Sequence, residues 1–406
     1  MKLNEKLFAG MRQATRTLMS QGPAAATSAI QQALHGGAAP SPSPSQPQAA
    51  PVMRDINPPP AGAQAQPQPE RDAAPTPHAA FDPQQMMRQF MPDMMENLDR
   101  MGEAGTSAFT MPNFEMPSFG QTAPAEALPG KFIDGSHSNA AGTRSYKLYV
   151  PSNYTGASAV PLVVMLHGCT QDPVDFASGT QMNQLAEELG CLVAYPAQTQ
   201  QANSSRCWNW FQEKDQLRDR GEPSIIAGIT RDIMAGHRVD PNQVYVAGLS
   251  AGGAMATIMG TLYPELYAAV GVHSGLPFAA AHDLPSALAA MKGKFSTPRA
   301  PGTAIPIIVF HGDRDTTVAP AAGDAVIAQG KAASARDILI EPGKVPQGHA
   351  YTRTVHRQAD GTPQAEQWLI HGAGHAWSGG SARGSYTDAK GPDASREMMR
   401  FFQTKR

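Results

Sequence analysis

The 406-residue sequence predicts an α/β fold: a mostly parallel, doubly wound sheet carried by residues 130–406. Three observations predict it. Short apolar runs alternate along that stretch with helical patterns, the arrangement that places helices on both faces of a parallel sheet. Several runs are continuously apolar rather than alternating, as strands covered on both faces must be. The composition also changes near residue 130. Ahead of it lies a segment rich in Pro, Ala, Gln and Met, with few β-branched residues, which cannot bury much apolar surface.

From the N-terminus, residues 3–20 read as an amphipathic helix, because Leu3, Leu7, Met11, Ala14 and Leu18 share one face. Gly22-Pro23 ends it, and residues 24–34 read as a second short helix with Ile30 and Leu34 on one side. This helical hairpin, residues 1–35, is too small for a core of its own. It is expected to dock on this chain's body or on a second copy, so self-association is one partner reading. A targeting element for a hydrophobic surface is the other. Residues 36–129 read as a disordered, low-complexity linker. Within it, residues 84–101 read as a Met-rich helix, bent or broken at Pro92, and Met111, Phe114, Met116 and Phe119 continue the apolar stripe.

Glu5, Lys6, Arg12 and Arg16 interrupt every apolar stretch that a secretory signal would need, so a cytoplasmic location is expected. No run of 18 apolar residues occurs, and no transmembrane segment is expected. A formal net charge of -2 excludes recruitment to nucleic acid or an anionic membrane through bulk charge. The three cysteines, Cys169, Cys191 and Cys207, are no disulfide framework, although one pair could bridge in an oxidising compartment. No Cys-x-x-Cys spacing occurs, so neither metal nor cofactor is expected.

In the C-terminal region the strand-like runs are 146–150, 162–166, 192–195, 244–247, 269–272, 305–310 and 368–370. Helical patterns fall at 180–189, 223–236 and 250–262. The run 244–247 leads directly into Gly248-Leu249-Ser250-Ala251-Gly252-Gly253-Ala254. A Gly-x-Ser-x-Gly pattern between a strand and a helix is the nucleophile elbow of the α/β-hydrolase fold. The serine sits on a sharp turn, and side chains two residues to either side would clash, so glycines stand there. Ser250 is the candidate nucleophile.

A serine hydroxyl needs a base to take its proton, and the base needs a carboxylate to orient it. In this fold the order along the chain is Ser, acid, His. The run ending at Phe310 continues into His311-Gly312-Asp313-Arg314-Asp315-Thr316-Thr317-Val318. Catalytic groups gather just past the C-terminal ends of parallel strands. Asp315 is favoured over Asp313 because it lies deeper in the loop, ahead of a Thr-Thr-Val run that can lock it. Of the 12 histidines, His349, His356, His371 and His375 follow Asp315. His375 is chosen because it lies in a Gly-rich loop beyond the strand, whereas His371 closes the strand and suits a packed, structural role. The tetrahedral intermediate needs two backbone N–H donors. They are assigned to Ala251, after the nucleophile, and to Cys169, in the loop after the run 162–166. Trp208 and Trp210 would share a face in extended chain and, with Trp377, are candidate walls of a substrate pocket.

Together, Leu166-His167-Gly168-Cys169-Thr170-Gln171, Cys207-Trp208-Asn209-Trp210, the Ser250 elbow and Gly374-His375-Ala376-Trp377-Ser378-Gly379-Gly380 resemble the esterase, poly(3-hydroxybutyrate) depolymerase family. That family is related to the feruloyl and acetylxylan esterases of carbohydrate esterase family 1. The resemblance spans about residues 130–406. It implies Ser250, Asp315 and His375 as a triad, Cys169 in the oxyanion hole, an aromatic wall near Trp208 and Trp210, and pairing of Cys169 with Cys207. The function it implies is a serine carboxylic-ester hydrolase acting on poly(3-hydroxybutyrate) or its oligomers, with a polymeric ester or granule surface as partner. Feruloyl, acetylxylan or short-chain esters are the alternatives within the class. A non-catalytic granule-surface or scaffolding protein is the alternative outside it. Many relatives are secreted, so secretion is the alternative to a cytoplasmic, granule-associated location.

Overall fold

A computed structural model of the chain describes residues 128–295, 305–330 and 337–405. The helical hairpin expected at 1–35 and the Met-rich helix expected at 84–101 lie outside these residues, as does the expected linker up to residue 127. In chain order the elements are β1 (Lys131–Asn139), β2 (Gly142–Val150), β3 (Val160–Leu166), α1 (Pro173–Thr180), α2 (Met182–Leu189) and β4 (Leu192–Pro196). There follow α3 (Gly221–Gly236), β5 (Val239–Leu249), α4 (Ala251–Leu262), β6 (Ala269–His273), α5 (Leu284–Met291), β7 (Ile307–Gly312) and α6 (Ala321–Gly330). The chain then forms β8 (Asp337–Lys344), β9 (Ala350–Arg357), β10 (Pro363–Ile370), β11 (Trp377–Ser378), β12 (Thr387–Asp388) and α7 (Ala394–Gln403).

Among the described residues one 10-stranded sheet runs in the order β1-β2-β4-β3-β5-β6-β7-β10-β9-β8. From β4 to β10 every pairing is parallel. The antiparallel strands β1 and β2 flank one side, and β8 and β9 the other. This is the fold class expected from the apolar runs, each of which overlaps a strand. Alternate side chains of one strand enter opposite cores, because successive Cβ atoms point to opposite faces. On β3, Leu162, Val164 and Leu166 join Ile225 and Ile229 of α3 and Met255 and Ile258 of α4. Val163 and Met165 join Phe176 of α1, Leu185 of α2 and Met398 and Phe402 of α7 on the other face. Covered on both sides, these strands have no polar face to alternate with, which is why the runs read as continuous.

Two departures have local causes. The helix expected at 180–189 begins only at Met182 and is preceded by a separate helix, α1, because Gln181 adopts φ 56° and its amide turns back to Ala177 O at 3.1 Å. Asp172 starts the first of them by accepting from the amides of Val174 at 2.9 Å and Asp175 at 3.0 Å. Strands β1, β8 and β9 had no apolar run to reveal them. They lie at or next to the sheet edges and are mostly part-buried or exposed, so hydrogen bonding to a neighbour, not burial, forms them. No helix among the described residues is long and apolar enough to cross a membrane.

Candidate active site

The parallel strands deliver their C-terminal ends to one edge of the sheet. Leu166 of β3 lies opposite Gly248 of β5, Leu249 opposite His273 of β6, His273 opposite Phe310 of β7, and Gly312 opposite Ile370 of β10. The residue after β5 is Ser250, with φ 57° and ψ -118°, and α4 begins immediately after it. A non-glycine residue at positive φ is strained, and such strain persists only where the surroundings enforce it. Here the Ser250 amide donates to His273 O at 2.9 Å, and Ser250 O accepts from the Ala254 amide at 2.9 Å. A Cβ on Gly252 would run into Leu166 O, and one on Gly248 into the backbone of Gly252. The flanking glycines are therefore required by the close pass of the elbow against β3.

Asp315 and His375 meet in space. His375 Nδ1 donates to Asp315 Oδ2 at 2.7 Å, leaving Nε2 as the basic nitrogen. Asp315 Oδ1 accepts from the amides of Thr317 at 2.9 Å and Val318 at 2.8 Å, the locking role expected of that run. His311 Nε2 stands 2.9 Å from Val318 O and 3.4 Å from Asp315 Oδ2, both acceptors, so it carries a proton and faces the carboxylate as a second donor. Burial pushes the Asp315 carboxyl up, but the hydrogen bonds from His311 and His375 outweigh it and hold the group well below the usual carboxylate range. Asp313 does something else. Its Oδ1 accepts from the Gly372 amide at 2.7 Å and its Oδ2 pairs with His371 Nδ1 at 3.0 Å. This exposed pair staples the loop that carries Asp315 to the loop that carries His375.

His273 was not singled out by the sequence. It is fully buried, stacks between Phe310 and Trp377, and its Nε2 accepts from the Ser378 amide at 3.0 Å. Burial, with His311 and His375 nearby, pushes its imidazole down to about 3, so it stays neutral. Through its carbonyl and its ring it ties the Ser250 turn to the His375 loop. The signal for it is invisible in one dimension, since Ser378 lies far along the chain.

Ala251 opens α4, where the first backbone N–H groups of a helix have no carbonyl one turn earlier. Cys169 follows β3 and forms a disulfide with Cys207, at a sequence separation of 38. This is the pairing that the family resemblance implied, and it ties the loop after β3 to the Trp208 segment. Closing a loop of that length restricts the unfolded chain by about 4 kcal/mol in the chain-entropy account. The Cys169→Ser/Cys207→Ser protein is expected to lose about 3–4 kcal/mol of unfolding free energy in a urea titration. A loss under about 1 kcal/mol would mean that the cross-link constrains little.

The expected tryptophan wall requires correction. Trp208 is 0% and Trp377 1% exposed, and the two lie in separate cores on opposite faces of the sheet. Trp377 Nε1 donates to Ser395 Oγ at 3.1 Å. Trp210 keeps 6% of its surface and packs edge-on against Phe211. Indoles bury large apolar areas, and core contacts win over a pocket position here. Among the described residues no group of three or more His, Cys, Asp or Glu side chains is placed to hold a metal ion.

The family model described as "Esterase PHB depolymerase" matches residues 144–334. Among curated proteins, the chain is 34% identical over 241 residues to "Poly(3-hydroxyalkanoate) depolymerase C" of Paucimonas lemoignei, covering 56% of this chain and 57% of that protein. It is 29% identical to "Poly(3-hydroxybutyrate) depolymerase" of Ralstonia pickettii, covering 56% and 50%. It is 31% identical over 202 residues to "Probable acetylxylan esterase A" of Aspergillus fumigatus, covering 45% and 53%. The chain thus spans about half the length of the curated relatives it matches. Of solved structures, "Acetyl xylan esterase from Aspergillus awamori" superposes with a TM-score of 0.53 at 21% identity, covering 67% of this chain and 99% of that one. That likeness is one of fold.

Proposed function

We propose that this chain, whose residues 144–334 match the family model described as "Esterase PHB depolymerase", belongs to that family and hydrolyses carboxylic esters through an acyl-enzyme on Ser250. The observation that carries this reading is the Asp315–His375 pair at 2.7 Å, set at the same sheet edge as a serine held at φ 57°. Ser250 Oγ attacks the ester carbonyl carbon while His375 Nε2 takes its proton. The carbonyl oxygen becomes an oxyanion facing the amides of Cys169 and Ala251. As the tetrahedral species collapses, the ester C–O bond breaks, and the departing alcohol takes the proton from His375. Water, deprotonated by the same imidazole, then attacks the acyl carbon and releases the acid and Ser250. Asp315 holds the Nδ1–H tautomer throughout and stabilises the imidazolium.

The proposed substrate is a 3-hydroxybutyrate polyester or its oligomers. The depolymerase of Paucimonas lemoignei at 34% identity supports this choice. A second reading, acetyl or feruloyl esters of polysaccharide, draws support from the acetylxylan esterase of Aspergillus fumigatus at 31%. Attachment to a polymer or granule surface, and self-association through residues 1–35, belong to the proposal, with residues 84–101 as the apolar contact. The Cys169–Cys207 disulfide supports an oxidising compartment, where such bonds persist, and so favours secretion over the cytoplasmic expectation.

The test is product analysis by mass spectrometry after incubating the full chain with polyhydroxybutyrate and with acetylated, feruloylated xylan. Soluble 3-hydroxybutyrate or its short oligomers is the expected product. Acetate or ferulate with no hydroxybutyrate would move the enzyme to the second substrate class. No product from either polymer, together with no hydrolysis of p-nitrophenyl butyrate, would leave the non-catalytic surface protein as the reading.

A further inference from the structure

His167 directly follows β3 and is only 1% exposed. Its Nε2 lies 3.1 Å from the Gln198 amide, a donor, so Nε2 presents a lone pair. Nδ1 therefore carries the proton and donates it to Gly168 O at 2.7 Å. Burial pushes this imidazole down to about 4, which keeps the ring neutral and both bonds intact at ordinary pH. The Gly168 carbonyl and the Cys169 N–H belong to one planar peptide and point in opposite directions. Anchoring the oxygen on one side sets where the N–H points on the other.

The rest of the loop is arranged around that peptide. The Gly168 amide donates to Gln171 Oε1 at 2.9 Å, and the Thr170 amide to Ser205 O at 2.7 Å. Between them, the Cys169 amide has no acceptor among the described residues. A Cβ on Gly168 would stand 3.7 Å from Ser250 Cβ, so this peptide passes directly beside the nucleophile. Gln198, which holds the far side of the ring, is itself fixed. Its Oε1 accepts from Arg144 Nε at 2.9 Å, and its Nε2 donates to Cys207 O at 2.9 Å and to Glu222 Oε1.

We infer that His167 is a positioning residue for the oxyanion hole, holding the Gly168–Cys169 peptide so that the Cys169 N–H meets the developing oxyanion. The inference rests on the esterase reading of Ser250. It separates the two ring nitrogens by role: Nδ1 serves the reaction, and Nε2 serves the fold.

Two buried variants divide those roles. In His167→Asn the side-chain amide sits near the place of Nδ1 and can still donate to Gly168 O. In His167→Gln it sits near the place of Nε2 and can still accept from the Gln198 amide. Both are assayed on p-nitrophenyl butyrate for kcat and KM and melted by calorimetry. Losing an oxyanion donor outright costs about 10²–10³ in kcat, so misaiming one in His167→Gln is expected to cost about 10–100-fold in kcat with KM changed less than about threefold. His167→Asn is expected to stay within about fivefold of wild-type kcat, whatever its melting temperature, because its donor remains. The reverse order, equal losses in both, or unfolding of both would overturn the positioning role and leave His167 a core residue. Wild type that neither hydrolyses the ester nor takes up a fluorophosphonate at Ser250 would instead overturn the esterase reading, and this role with it.

Discussion

Ser250→Ala is expected to lower kcat on p-nitrophenyl butyrate by about a millionfold, since loss of the nucleophile removes what the whole triad supplies. The substitution deletes one oxygen and leaves the turn alone. Alanine carries the same Cβ at φ 57°, the Ser250 amide still reaches His273 O, and Gly248 and Gly252 still clear the backbone of β3. The melting temperature should therefore stay close to wild type while activity disappears. Any residual rate should come from the oxyanion donors and binding alone, and it should not respond to a fluorophosphonate. A variant that retains a tenth or more of wild-type kcat would show that another group attacks the ester, and the elbow would then be only a packed turn.

Asp315→Asn is expected to lower kcat by about 10⁴-fold with the fold intact, as loss of a carboxylate that orients a catalytic imidazole does elsewhere. The four donors around Asp315 explain why. The amides of Thr317 and Val318 claim one oxygen, so the asparagine places its carbonyl there and turns its NH₂ toward His375. His375 then accepts at Nδ1 and carries its proton on Nε2, where it cannot take one from Ser250. The NH₂ also faces the N–H of His311, a clash of donors where the carboxylate had accepted both. Asp313→Asn makes the contrast. It weakens the staple to His371 and Gly372 but touches no tautomer, and its cost in kcat should be under about tenfold on the scale of an exposed pair. Equal losses for the two substitutions, measured as kcat at pH 8, would sink the assignment of Asp315.

The comparison of Asp313 with Asp315 shows how far the one-dimensional reading reached. Both follow β7, and local order alone favoured the deeper one. What separates them in space is that Asp315 is closed over by its own downstream amides and two histidines, whereas Asp313 faces outward to a loop some sixty residues on. The tryptophans went the other way. Alternation placed Trp208 and Trp210 on one face, but it could not say whether that face met substrate or core, and Trp208 and Trp377 fill opposite sides of the sheet.

By itself the sequence determined whatever depends on neighbours along the chain. The strands covered on both faces announced themselves as unbroken apolar runs. The elbow did so through two glycines that a sharp turn against β3 requires, and Asp315 and His375 stood out as candidates through strand ends in a fixed order. Only the tertiary structure decided which groups surround them. His167, His273 and His311 contact partners on other strands and loops, and Cys169 meets Cys207 at a sequence separation of 38. A hydrogen bond or a buried face depends on distances in space, and the chain order carries no record of these until the parallel sheet brings its strand ends to one edge.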